Sequence, residues 1–470
     1  MFTLLDAGRA RGGPGYSRRE FLRVGGLGLG GLTLAGLLAA KSRAGDAGRL
    51  VKDKSVVLLF LQGGPPHIEL FDPKMTAPEE IRSTTGEVQT ALPGITFGGT
   101  FPELGKRASK IAVVRSYASN NADHQNYLAV VGAGNPLGAP MAALYARAVG
   151  AANPKTGVPS NILIKPEAAK PGLKMGQNFE TDALKGLLTA GQLGATYGAF
   201  DPSGGGELKQ DMELKLPRER FDDRRELLNR LDSFKRQVES TGALDGADAF
   251  QQQAFDVVVR GVSQAFDLSK EDPKTLEKYD TSKLFKMEDL NRWNDMRRSS
   301  NLLGRQMLLA RRLCEAGCGF VTVTDAGWDM HANGNSPKKM AGLPMLGGQV
   351  DHAVAAFLDD LEERGLSEKI LLIVTGEMGR TPKLNRDGGR DHYANLTSLL
   401  LAGGGLKMGQ VIGQSDRNAS NPAGEKYTPK ELMATVMNVL FDTGELRVSR
   451  AVPGNAVQVM TDGKAIPGLL

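Results

Sequence analysis

The sequence predicts an α/β protein with a mostly parallel central sheet covered by helices on both faces. Continuous apolar runs of strand length occur toward both ends of the chain, and amphipathic helical patterns alternate with them. Short polar loops rich in glycine and histidine follow the runs, as at the carboxyl edge of an open α/β sheet. The 470 residues, 41% hydrophobic and 24% charged, suffice for a sizeable core.

The first element is an address. SRREFLR at residues 17–23 places paired Arg18 and Arg19 before an apolar, glycine-rich run at residues 25–40, with Arg43 and Ala44 beyond. This layout has the basic, apolar and small-residue regions of an export signal, and the arginine pair has the twin-arginine form. Residues 1–44 are therefore expected to be a signal that contacts the membrane during export, and residues 45–470 a single domain. The expected location is periplasmic or extracellular. No later stretch reaches the ~18 apolar residues of a membrane span.

KSVVLLFLQ at residues 54–62 reads as a buried strand, as do residues 111–115 and 160–165 and the runs GFVTVTDAG and KILLIVTGEMG. Residues 126–131 read as a helix. Residues 214–315, dense in charge with helical period, form a helix-rich segment that includes the run NRWNDMRRSSNLLGRQMLLARRLCEAG. VDHAVAAFLDDLEERG reads as a helix ending at Gly365, and residues 338–348 as a surface loop. LTSLLLAGGG reads as a strand or short helix, and PKELMATVMNVLF as an amphipathic helix.

Composition excludes some functions. Outside residues 1–44 the acidic and basic residues balance, 51 of each, so the basic excess belongs to the signal and nothing points to nucleic acid. Cys314 and Cys318 are the only cysteines, which excludes a thiolate zinc cluster and favours two reduced, buried thiols. Glycine clusters such as GAGNPLG lack the strand–turn–helix setting of a dinucleotide fold.

Four of the five histidines lie in loops that follow apolar runs: His67, His124, His331 and His392, accompanied by Glu69, Asp72, Asp123, Asp329, Glu377, Arg380 and Asp391. The fifth, His352, sits in a helix and reads as structural. Imidazole and carboxylate gathered on one edge suit a divalent cation. Asp329 and His331, two residues apart, share a face of an extended segment, and His392 would complete the set. The same spacing also suits a capped turn.

GGPPHIELFDPK, SYASNNADHQNY, LARRLCEAGCGFVTV, GWDMH, AFLDDLEERG, GEMGRTP and GRDHY together resemble the twin-arginine-exported family known as domain of unknown function 1501, from the signal to the C-terminus. That family is grouped with the alkaline phosphatase-like superfamily. The resemblance implies that superfamily's three-layer sandwich and a metal-dependent site for a phosphate or sulfate ester. Asp329, His331 and His392 resemble the first metal site, with Asp325 a substitute for Asp329, and Glu377 and Asp391 further ligands. The second site departs from the pattern. Gln62 stands where an aspartate would end the first strand, Met378 where a histidine would follow Glu377, and no Ser, Thr or Cys occupies the nucleophile position near residues 121–124. His67, Asp72 and His124 are possible replacement ligands. The expected function is an exported hydrolase with a zinc, manganese or calcium ion. Arg380, Arg115 or Arg390 would clamp the small anionic ester or else bridge a nearby carboxylate, and His124 or His67 would act as acid or base. The alternative is a non-catalytic exported binding or scaffold protein.

Overall fold

The computed structural model describes residues 50–124, 132, 134–204 and 263–470. The expected signal, the helix at residues 126–131 and the expected helices of residues 214–262 lie outside them. The sheet has seven strands: β1 (Ser55–Gln62), β4 (Ile111–Val114), β5 (Asn161–Ile164), β6 (Phe320–Ala326), β7 (Ile370–Thr375), β10 (Leu399–Gly403) and β11 (Gln410–Ile412), in the order β11-β4-β10-β7-β1-β6-β5. Two short ribbons stand apart, β2 (Glu87–Gln89) with β3 (Thr96–Gly98), and β8 (Gly379–Arg380) with β9 (His392–Tyr393). All pairings in the large sheet are parallel except those of β10, which runs antiparallel to β7 and β4.

The helices used below are α1 (Pro102–Lys106), α2 (Met141–Val149), α3 (Phe179–Leu188), α4 (Leu303–Glu315), α5 (Leu343–Glu363) and α6 (Pro429–Leu440). The layers follow from β1. Its apolar run is buried on both sides, and the period of two sends Val57, Leu59 and Leu61 to one face and Val56, Leu58 and Phe60 to the other. The first set packs with Leu303, Met307, Val350 and Phe357 of α4 and α5. The second packs with Leu144, Leu432, Val436 and Leu440 of α2 and α6. Each fully buried Leu, Val or Phe contributes about 1.5–3 kcal/mol.

The helix-rich segment is less regular than its periodicity implies. Among the described residues it holds only short helices before α4, the longest Pro273–Lys278, and residues 297–302 are not helical. The loop expected at residues 338–348 is instead a tight turn, Lys338–Met340, followed directly by α5, which starts with Pro344 in its first turn and ends before Gly365 at φ +66°. α6 is fixed by a capping box in which Thr428 and Glu431 bond each other's backbone. Cys314 and Cys318 are buried and free, and His352 bonds the Lys278 carbonyl at 3.0 Å. Among the described residues no helix is long and apolar enough to cross a membrane.

One buried carboxylate joins layers. Asp351 of α5 accepts from Glu103 N at 2.9 Å and Leu104 N at 2.7 Å, satisfying free donors at the start of α1. Asp351→Ala leaves these donors unpaired and lowers stability by about 2–3 kcal/mol in urea unfolding.

Candidate metal centre at the carboxyl edge of the sheet

β1, β6 and β7 end in register, with Gln62 beside Ala326 and Phe60 beside Thr375. Their following loops therefore emerge side by side. Gly63, at φ +115°, lies so close to the β6 loop that a Cβ would sit 2.4 Å from Asp329 N. Only glycine permits that approach.

The antiparallel β10 explains how His392 arrives. The chain leaves the sheet after β7, makes the β8–β9 ribbon and re-enters along β10 from the same edge. The ribbon pairs Arg380 with His392, and both side chains reach Asp329 Oδ1. Sequence reasoning left β10 undecided between strand and helix, so this return path was not foreseen.

Three imidazoles surround Asp329. His331 Nε2 is 3.0 Å and His392 Nε2 3.2 Å from Oδ1, and His124 Nε2 is 3.5 Å from Oδ2. Each outer nitrogen is held elsewhere: His124 Nδ1 by Glu377 at 2.8 Å, His331 Nδ1 by Asp391 at 2.8 Å, and His392 Nδ1 by the Ala122 carbonyl at 2.9 Å. An acceptor on Nδ1 places the proton there and turns the Nε2 lone pair inward, as metal-binding histidines require. Donor atoms of His124, Asp329 and His392 all lie within 4.8 Å of one another. His124 Nε2 and Glu377 Oε2 are buried without a hydrogen-bond partner. Lone pairs facing a carboxylate with nothing between them repel, so the cluster needs either protons or a cation. The residues thus fit a divalent ion with mixed imidazole and carboxylate ligands.

Arg380 defines which oxygen is left for it. This guanidinium is fully buried and pairs with Asp329 Oδ1. It also donates to the carbonyls of Gly63, Gly64 and Arg390, and its Nη1 lies 3.3 Å from His331 Nε2. Oδ2, facing His124, remains.

Protonation follows from the same contacts. Burial would raise Asp329, but Arg380 and the three imidazoles hold it well below the usual carboxylate range. Burial works against charge on His124, yet Asp329 and Glu377 overcome it and push the group up to about 9. For His331, burial is likewise outweighed by Asp329, and the value rises. Without metal, then, Asp329 favours the protonated forms of His124 and His331.

The expected residues distribute as follows. His124, expected as acid or base, joins Asp329 and His392 as a candidate ligand. Glu377 and Asp391, expected as ligands, orient His124 and His331 instead. Arg380, expected as an anion clamp, has its donors committed to protein. Arg390 is buried against Glu69 at 2.8 Å, and Arg115 bonds the carbonyls of Phe71 and Thr96. His67, expected as acid or base, stands outside the cluster. Its Nε2 faces the Ala419 carbonyl at 3.0 Å, and burial lowers it to about 4, so it is neutral. Asp72 pairs with Arg115, Lys74 and Ser415. Asp325, the suggested substitute ligand, is held by Trp328 Nε1 at 2.9 Å and Gln349 Nε2 at 2.8 Å, and burial raises it to about 7.

Two neighbours were missed. Phe179 stacks on His124 with ring centroids 4.1 Å apart. Glu180 is fully buried, accepts from Gly327 N at 3.1 Å, and is raised to about 8 by burial, with the charge of Glu377 adding to the effect. Both open α3, whose start is written in the sequence: Asn178 as N-cap, acids at Glu180 and Asp182, and apolar Leu184, Leu187 and Leu188.

Fold and site together define an α/β sandwich with an imidazole–carboxylate cluster at the carboxyl edge of its sheet. The chain belongs to the family described as "Protein of unknown function (DUF1501)", which it matches over residues 53–470. Solved structures with some likeness include the PsFucS1 sulfatase from Pseudoalteromonas sp., at 12% identity over 91% of this chain and 75% of that one, TM-score 0.34. The lipoteichoic acid synthase LtaP from Listeria monocytogenes gives 10% over 89% and 81%, TM-score 0.34. The TAB5 alkaline phosphatase gives 13% over 79% and 96%, TM-score 0.31. Overlap this loose transfers no residue role. The chain matches no curated protein.

Four expectations follow. A cation that takes His124 Nε2 displaces its proton, so apparent metal affinity rises with pH, about tenfold per unit below about pH 9, in dye-competition titrations. Conversely, the folded value of His124 lies above the unfolded 6.5, so its ion pairs stabilise the metal-free fold fully below pH 6.5, and that contribution is lost as pH rises toward 9. Asp325→Asn keeps metal affinity within threefold, because Gln349 Oε1, now without a partner, accepts from the new amide when Gln349 turns over. Asp329→Asn lowers metal affinity at least about a hundredfold in the same titration.

Proposed function

We propose that the protein is a metal-dependent hydrolase of a phosphate or sulfate ester, exported and working outside the cytoplasm. The reading rests on one observation above the rest: His124 and His392, with their outer nitrogens already engaged, present Nε2 toward the Asp329 carboxylate, His124 at Oδ2 and His392 at Oδ1. His124, His392 and Asp329 Oδ2 would hold the cation. A bound divalent cation would polarise an ester oxygen and lower the pKa of a water.

The remaining work falls to the chain. Arg380 neutralises Asp329 and keeps the Gly63–Gly64 turn closed behind it. Glu377 fixes the His124 ring while also accepting from Gly63 N at 2.7 Å. Asp391 and His331 form the titratable pair at the open side. Asp391 is about half exposed at 52%, and His331 takes up or releases a proton at Nε2. Phe179 covers one face of His124 and keeps water from it.

The second reading is a non-catalytic exported binding protein. It is favoured by the absence, among the described residues, of a hydroxyl or thiol bonded to the His124–Asp329–His392 cluster. Direct attack by water answers that objection, since it needs no protein nucleophile.

Purified protein assayed on aryl sulfate and aryl phosphate esters is expected to hold about one divalent ion per chain. His392→Ala is expected to lower kcat at least about a hundredfold, whereas His67→Gln changes it less than threefold. A metal-free protein whose Tm ignores Zn²⁺, Mn²⁺ and Ca²⁺, and which turns over neither ester, is the non-catalytic one.

A further inference from the structure

We propose that two turns beside His331, residues 336–340 and 383–388, form a cationic rim that docks an acidic polysaccharide. They carry Lys338, Lys339, Lys383 and Arg386, all exposed. Asp387 and Asp391 lie among them, and the exposed Glu80 lies beside the second turn, its carbonyl accepting from Leu384 N at 2.8 Å. Asp387 is shared between Lys338 at 3.5 Å and Arg386 at 3.8 Å, and Asp391 is already paired with His331. The rim therefore keeps a cationic excess at the open side of the centre. No such excess was apparent in the charge balance of the whole chain.

The turns are built as one unit and tied to the site. Lys339 N donates to the Asp387 carbonyl at 3.2 Å, and a Cβ on Gly388 would lie 3.1 Å from Lys339 Cα. Asn385 Nδ2 donates to the His331 carbonyl at 2.8 Å and to Asp391 Oδ1 at 3.1 Å. Met340 is buried in the core below. Lys339 and Met340 both adopt left-handed backbone, at φ 54° and 55°. Residues with side chains rarely do so in succession, and such conformations concentrate where a surface must be presented in one shape. The core anchor and the cross-turn bonds hold the backbone that carries the lysines, so less ordering accompanies binding.

The charges lie outside the imidazole cluster, so they meet anionic groups other than the one being cleaved. That calls for a ligand with repeated charges. Neither turn contains an aromatic residue, so nothing there stacks on a base. Asn333 and Asn335 are exposed just before the first turn and suit hydroxyl groups. Repeated anions and hydroxyls without bases describe a sulfated or phosphorylated glycan.

The test is binding of the purified full chain to dextran sulfate, with uncharged dextran as reference and EDTA present throughout. EDTA removes any bound cation and residues 1–44 are common to parent and variants, so the difference between them reads the rim, and failure of the hydrolase reading leaves the result unaffected, and the reverse. The triple variant K338S/K383S/R386S is expected to bind at least about tenfold more weakly and with a shallower salt dependence. The variant K106S/K283S, which removes two exposed lysines elsewhere, is expected to bind like the parent. Equal Tm values show that both variants fold. The proposal is overturned if dextran sulfate binds no better than dextran, if the triple variant keeps its affinity, if K106S/K283S loses as much, or if single-stranded DNA competes as well as free dextran sulfate.

Discussion

A single dry ion pair organises this edge of the molecule. Arg380 is fully buried, and its charge is tolerable only because Asp329 lies against it and carbonyls take its other donors. Those partners come from three loops: Gly63 and Gly64 after β1, Asp329 after β6, and Arg390 on the way to β10. The guanidinium is thus the fastener that holds the loops in one arrangement. Its geometry suits the task, since a planar fork reaches several acceptors at once where an ammonium would reach fewer. Once Asp329 is fixed, the imidazoles have a common target.

The second constraint is topological. The six strands that share one direction would alone send every loop off after a strand. β10 breaks the pattern and brings residues 376–398 out and back at one edge. The β8–β9 ribbon inside that excursion sets His392 opposite Arg380. Ligands from different loops then converge without any long unsupported segment. Behind them, the buried Glu69–Arg390 pair ties the same excursion to the segment following β1.

Much of this was legible in the sequence, for reasons that can be named. Residues 54–62 and 370–375 are apolar on both faces, which only a covered central strand explains. Histidines at 124, 331 and 392 follow strands or precede one, and they do meet. What could not be read was which nitrogen faces inward, because that depends on partners such as Ala122 and Glu377 that are distant in sequence. His67 carried the same local signal as His124, yet burial beside Ala419 removed it from the cluster. Arg380 and Arg390 suited a substrate clamp or a structural bridge equally, because exposure cannot be read from residue type, and burial made them bridges. Helical period misled at residues 297–302, where the backbone breaks before α4. Residues 343–348 looked loop-like because two glycines obscure helix propensity.

Phe179 has a consequence for traffic. With one ring face of His124 walled off by that aromatic plate, the cluster meets solvent at Asp391, His331 and His392. Under the hydrolase reading, incoming ester and departing product would share that flank, and release would compete with the next arrival.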